Sequence, residues 1–168
     1  GFRSTAGGDN SISMGSEANA GGNKAVALST SNASAESSFA AVITADSSPY
    51  YGASGTGSIA MGYLAQATGN NSNAIGGLSP QATATYASVF GGVNNDASAI
   101  GATAIGGHTN TADGQYSFAA GQRSHTGGVY GRSVYGSGFF GSNGDAQGSK
   151  YILRGATTSA NARTITTN

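Results

Sequence analysis

The chain has no cysteine and no tryptophan, only two prolines, and only seven basic and seven acidic residues among 168. Without cysteine there is no disulfide framework and no thiolate zinc site, and the redox compartment stays open. Large apolar residues are also scarce. Ile, Leu, Val and Phe number 24, below the rough one-fifth of residues that fills an ordinary globular core. A wide core of large side chains is thereby excluded. No apolar run approaches the ~18–20 residues needed to cross a bilayer, and there is no secretory apolar segment, so no membrane insertion is expected of this segment.

What the chain does have is 29 glycines and 29 alanines. Such a composition leaves two outcomes, disorder or a thin repetitive structure whose interior takes only small residues. Disorder usually accompanies a high net charge, whereas here the charges balance. They are placed unevenly. Residues 1–120 carry two basic against six acidic residues, a net −4, and residues 121–168 carry five against one, a net +4. Five dispersed basic residues read as a solvated surface near a boundary and not as a nucleic-acid footprint.

Periodicity decides for order. Ile12-Ser13-Met14-Gly15, Ile59-Ala60-Met61-Gly62, Asn73-Ala74-Ile75-Gly76 and Thr103-Ala104-Ile105-Gly106 recur with a spacing near fifteen. The anchors fall at Gly15, Ser29, Thr44, Gly62, Gly76, Gly91, Gly106, Gly121 and Gly136. Fifteen residues rich in Gly, Ser and Asn are too few for a helix pair and disfavour helix. They suffice for two short strands and two turns, one coil of a parallel β-solenoid. The anchor glycine suits a strand exit with positive φ.

The residue before each anchor is Met14, Leu28, Ile43, Met61, Ile75, Phe90, Ile105, Ala120 or Tyr135, and the one before that is Ser13, Ala27, Val42, Ala60, Ala74, Val89, Ala104, Ala119 or Val134. Strand neighbours point to opposite faces. With both columns apolar, one can face the coil's lumen and the other needs a partner chain. An oligomer is therefore expected, and the pattern leaves open which column faces the partner.

The period breaks at 46–57, where Pro49 cannot join a ladder. A surface loop is expected there, with Tyr50 and Tyr51 as a candidate surface contact. After Gly141 the pattern changes, and residues 142–168 read as the start of a separate β domain, cut off at Asn168. With 1–9 as a lead-in, residues 10–141 form the repeat region. The start at Gly1 and the end in mid-pattern are read as those of a piece of something longer.

The units Ser58-Ile59-Ala60-Met61-Gly62 with Ala65-Gln66-Ala67-Thr68-Gly69, and Ser11-Ile12-Ser13-Met14-Gly15 with Ala18-Asn19-Ala20-Gly21, resemble the head repeats of trimeric autotransporter adhesins. The resemblance implies a left-handed parallel β-roll of about nine coils, three of which pack side by side as a homotrimer. Such repeats also occur in phage tail fibres, and Gly144-Asp145-Ala146-Gln147-Gly148-Ser149-Lys150-Tyr151-Ile152-Leu153-Arg154-Gly155 resembles a segment that follows them in phage structural proteins. The expectation is a tail-fibre segment in a virion, acting as a rigid spacer with host contact. Its partners would be its own copies, other fibre or virion proteins, and a host cell-surface glycan or protein. The alternative is the head of a bacterial surface adhesin.

Chemistry is poorly supplied. Asp96 and Asp113 lie about one coil apart but two positions out of register, which suits turn capping better than a carboxylate pair. His108 and His125 read as turn residues, although a trimer would gather each into a ring of three. Gly52-Ala53-Ser54-Gly55-Thr56-Gly57 is followed by no Lys-Ser/Thr pair and is no phosphate loop. No catalytic residue, cofactor or metal site is expected. An ice-binding solenoid would need a Thr ladder that Thr83-Ala84-Thr85 and Thr109-Asn110-Thr111 do not continue.

Overall fold

The computed structural model describes residues 1–43 and 51–151, with Ile43 described by its backbone alone. Among them there is no helix. The chain winds as a parallel β-solenoid of about eight full turns. Each turn gives a two-residue strand to a narrow eight-stranded sheet and a three- to six-residue strand to a broad ten-stranded sheet. The narrow sheet runs from Thr5–Ala6 through Asn19–Ala20 and Gln81–Ala82 to Thr111–Ala112, and the broad sheet from Ile12–Met14 through Ser88–Phe90 to Ser133–Ser137 and Gln147–Lys150. With nine parallel broad strands at about 4.8 Å each, the rod is on the order of 40 Å long.

The lumen is lined by alanine. In the broad sheet Ala27, Ala40, Ala60, Ala74, Val89, Ala104 and Ala119 are fully buried, and in the narrow sheet Ala20, Ala33, Ala53, Ala67, Ala82, Ala97 and Ala112 are. Among the described residues no Leu, Ile, Met, Phe or Tyr is fully buried, and valine is the largest apolar side chain that is. This answers the shortage of large apolar residues: two sheets this close admit nothing bigger.

The turns are built on left-handed residues, and they are laddered too. At the corner between narrow and broad strand, Asn10, Lys24, Ser37, Gly57, Asn71, Tyr86, Gly101, Tyr116 and Gly131 all have φ between 53° and 65°. From Lys24 onward each donates its N–H to a carbonyl of the preceding coil, as Tyr86 does to Asn70 O at 2.9 Å and Tyr116 to Ile100 O at 2.9 Å. The corner's backbone groups are thus satisfied along the rod, as the strands' are.

Three expectations about boundaries need correction. The roll begins before residue 10, because Thr5 pairs with Asn19 and Ala6 with Ala20. The insert ends before 57, since Gly52–Ala53 is a strand of the narrow sheet paired with Gln66–Ala67; its earlier part, with Tyr50, lies outside the described residues. The third coil is also shifted. Val26 pairs with Phe39 and Leu28 with Ala41, and Val42 pairs with Gly62. Ala41 therefore occupies the position assigned to Ile43, and Val42 the anchor position assigned to Thr44. The cause is a corner two residues shorter than in later coils, which slides the apolar run Ala41-Val42-Ile43 past its neighbours.

The C-terminal end is capped. Asp145 accepts the N–H groups of Phe140, Gly141 and Ser142 at 2.9, 2.6 and 2.8 Å, folding residues 140–145 into a tight loop. Gln147–Lys150 then pairs antiparallel with Ser133–Ser137 and covers the edge of the broad sheet. The Gln147 carboxamide covers the narrow sheet, accepting from His125 N and donating to His125 O, both at 2.8 Å. Gln147–Lys150 thus belongs to the roll's own sheet and does not open a separate domain; residues 152–168 lie outside the described part.

Candidate functional site

The outer face of the broad sheet carries the oligomer expectation, and the structure resolves which column it exposes. The small column points into the lumen. The large one points out: Met14 is 61% exposed, Met61 39%, Phe90 41%, Ile105 41% and Tyr135 66%, with Leu28 and Ile75 half-buried. Size decides, because only alanine and valine fit inside.

A second stripe lies on the same face, two residues earlier in each strand, and the sequence reading had not singled it out. Ile12, Val26, Phe39, Ile59 and Phe118 occupy it, with Asn73, Ser88, Thr103 and Ser133 at the remaining levels. Strand alternation was the available signal, since positions i and i+2 share a face. The two stripes compensate in volume. Where the second holds Phe39 or Phe118, the first holds Ala41 or Ala120. Between Ile105 and Tyr135, the small Ala120 leaves an open groove of about 610 Å³, floored by Gly107, Gly121 and Gly136. One apolar stripe running along the rod, doubled at five of its levels, forms a contiguous surface of the kind that marks an interaction site.

The anchors shape the corner beside this face. Gly15, Gly62, Gly76, Gly91, Gly106 and Gly121 all have positive φ, from 60° to 132°, and Ser29 holds 64° in the same role. Gly136 is outside the left-handed region. Its constraint is close approach, because a Cβ there would lie 2.3 Å from Gln122 O. Tyr51, expected on a surface loop, is half-buried and packs against the alanine core.

Within the corner after the anchors lies a buried polar ladder that composition concealed among turn-formers. Asn95 Nδ2 donates to Gly91 O and Gly106 O at 2.9 and 2.7 Å, and its Oδ1 accepts Asn110 N at 2.9 Å. Asn110 repeats the pattern one coil on. Its Nδ2 donates to Gly106 O and Gly121 O at 3.0 and 2.8 Å, and its Oδ1 accepts Ser124 N and Oγ at 3.0 and 2.8 Å. The exact one-coil separation of Asn95 and Asn110 was the signal in the sequence.

Asp113 and His125 meet on the far side, at the end of the narrow sheet, with Asp96 near enough to feel the charge of Asp113. His125 Nε2 lies 2.9 Å from Asp113 Oδ2, while Asp113 Oδ1 accepts Thr126 Oγ1 at 2.7 Å and Gly128 N at 2.9 Å. Partial burial is the largest influence on the Asp113 carboxyl and raises its pKa. The Gly128 N–H, the Thr126 hydroxyl and His125 together outweigh it and hold the group below its ordinary 3.8. Asp96 is pushed the other way, by burial first and then by the charge of Asp113, against the Ser98 hydroxyl. Asp113 is thus committed as an acceptor that closes the last corner. A depressed carboxylate stabilises the fold above its unfolded pKa, and that stability is lost as pH falls through the lower folded value. Asp113→Asn should accordingly lower the melting temperature at pH 7, and the gap to wild type should narrow as pH falls below the ordinary carboxylate range. A gap that stays constant to pH 2 would show that the carboxylate's charge is not what matters.

Two of the basic residues towards the C-terminus are likewise spent internally. Arg123 stacks over Phe139 with its guanidinium carbon 3.8 Å from the ring centroid. Arg132 bonds Thr126 O at 3.1 Å and Ser149 Oγ at 2.7 Å. Both tie the cap to the last coils. His108 is exposed, with its Nδ1 2.7 Å from Thr109 Oγ1. No group of three or more potential metal-ligating side chains occurs among the described residues.

Residues 6–28 and 53–79 match the YadA head domain repeat. No curated protein matches the chain. The fold and these two segments together define a parallel β-solenoid carrying adhesin-type head repeats. The matched segments include the two units whose Ser-Ile-x-Met-Gly motifs carried the resemblance.

Proposed function

We propose that the chain is a rod segment of a homotrimeric surface fibre, a rigid spacer and adhesive head module that performs no catalysis. The observation that carries this reading is the apolar face of the broad sheet, a stripe from Met14 to Tyr135 that is exposed or half-buried in the single chain and is doubled by Ile12, Val26, Phe39, Ile59 and Phe118. Three such faces turned inward would bury the stripes about a common axis. The homotrimeric habit of YadA-like heads supports the same count. Two settings are compatible with it. The match to the YadA head repeat favours a bacterial cell surface. The stretch Gly144–Gly155, with its likeness to phage structural proteins, favours a virion tail fibre bound to other fibre proteins.

The oligomer is tested by sedimentation equilibrium. The chain should sediment at about 49 kDa, three times its 16.3 kDa. Ile105→Asp places three carboxylates at one level of the apolar face and should shift the species to monomer at micromolar concentration, since burying an unpaired charge costs several kcal/mol. Gln81→Asp, on the outer face of the narrow sheet, should leave the trimer intact. A monomeric, well-folded wild-type chain would end the proposal.

A further inference from the structure

Along the corner between narrow and broad strands, aromatic side chains gather at the C-terminal half of the rod. Tyr86 and Tyr116 have φ of 60° and 54°. That conformation comes cheaply to the Asn10, Asn71, Gly57, Gly101 and Gly131 that fill the same corner on other coils, and is sterically costly for a bulky side chain. Strain accepted where a smaller residue would fit directs attention to what the side chain does. Both rings are solvent-exposed, at 61% and 58%.

Their arrangement is regular. Tyr86 and Tyr116 are two coils apart, about 10 Å along the rod. Between them sits Gly101, where a Cβ would meet Tyr116 Cδ1 at 2.6 Å, so the Tyr116 ring rests against that glycine while most of the residue stays exposed. Tyr130 meets Tyr116 edge-on, with centroids 5.5 Å apart and planes at 68°. Thr83 and Ser98, both exposed, line the adjoining margin of the narrow sheet. No lysine or arginine occurs between residues 25 and 122.

We infer that this strip, Tyr86–Tyr116–Tyr130, binds a neutral linear polysaccharide lying along the rod, with sugar rings stacked on Tyr86 and Tyr116. Flat aromatic faces in a row offer stacking to the C–H faces of sugars, and their hydroxyls keep a polar handle at the rim. The two-coil interval is close to a disaccharide repeat of an extended glycan, so successive sugars of a polymer meet successive rings. The hydroxyls of Thr83 and Ser98 are placed to bond sugar hydroxyls. A protein ligand would instead call for a pocket around a central anchor, and an acidic polymer for free cations, whereas Arg132, the cation next to Tyr130 in sequence, is engaged with Thr126 O and Ser149 Oγ. The inference rests on the fibre reading only for its valency: three strips per rod convert weak contacts into retention.

The chain in its natural oligomeric state is applied to an array of neutral and acidic glycans, and binding of the strongest neutral chain is then titrated by tyrosine fluorescence, which the absence of tryptophan leaves unobscured. Tyr86→Asn and Tyr116→Asn install the residue that Asn71 already provides at this corner. Each should weaken binding at least tenfold while melting and sedimentation stay as in wild type, and Tyr116→Phe should retain it. Binding of no neutral chain, binding of acidic chains alone, or Asn variants that bind as wild type each overturns the inference. So does dissociation of the Asn variants into monomers, which would make the strip a contact between protomers. A wild-type chain that is monomeric yet binds through the tyrosines refutes the trimer and leaves the strip standing.

Discussion

Asn110→Ala should destabilise the roll by about 4 kcal/mol, because it leaves several buried groups without partners at about 1–3 kcal/mol each. The Asn110 carboxamide is fully buried and makes four bonds, to the carbonyls of Gly106 and Gly121 and to the N–H and hydroxyl of Ser124. Asn110→Asp should be at least as damaging, since it turns two donated bonds into a buried carboxylate facing two carbonyl oxygens. Denaturant midpoints of the three proteins decide the matter. Asn95→Ala, combined with Asn110→Ala, should cost more than the sum of the two, because Gly106 O accepts from both amides and keeps one partner in either single variant but neither in the double. Strict additivity would mean that the two amides do not act as one ladder.

The second large effect sets two adjacent alanines against each other. Ala119 is fully buried in the lumen and Ala120 points outward into the groove between Ile105 and Tyr135. Ala119→Leu adds three carbons where the largest tolerated apolar side chain is valine. In ordinary cores overpacking costs about 1–3 kcal/mol. Here the sheets cannot part at one level without breaking ladder bonds on both sides, so the cost should reach the top of that range or exceed it. Ala120→Leu should leave the fold intact and raise the stability of the oligomer by filling the groove, by up to about 2 kcal/mol per protomer. Thermal melts at several protein concentrations separate the two, because only the outward change alters the concentration dependence. Equal losses from both substitutions would overturn the assignment of inside and outside.

That assignment shows where the sequence was readable and where it stopped. Fifteen-residue spacing, two adjacent apolar columns and the want of large side chains led to a β-solenoid with a face in need of a partner. The columns did not say which faced inward, since alternation carries no sign; only the narrowness of the lumen, a three-dimensional quantity, sorts Ala104 inside from Ile105 outside. The stripe of Ile12, Val26, Phe39 and Ile59 was legible by strand alternation, yet it fades at Asn73, Ser88 and Thr103. In the third coil, apolar likeness misled. Ala41-Val42-Ile43 imitates the repeat better than Phe39-Ala40-Ala41 does, and only the pairing of Phe39 with Val26 and Ile59 fixes the register. Asn95 and Asn110 looked like turn residues because their burial depends on the coil that follows. Gln147 had no precedent in the repeat at all, for its side chain replaces a strand that the chain does not make.

The constancy of the coil has a consequence for the reach of the rod. From Asn73 to Ser133 the broad-strand partners are fifteen residues onward, apart from His108 with Gln122 at the bulge after Ile105, and from Gln66 to Thr111 every narrow-strand partner is as well. Excising or duplicating fifteen residues there returns each level to a neighbour of the same shape, with the axis undisturbed. Length can then change in single steps of about 4.8 Å with no redesign of lumen or corner. How far such a rod extends becomes a matter of counting coils.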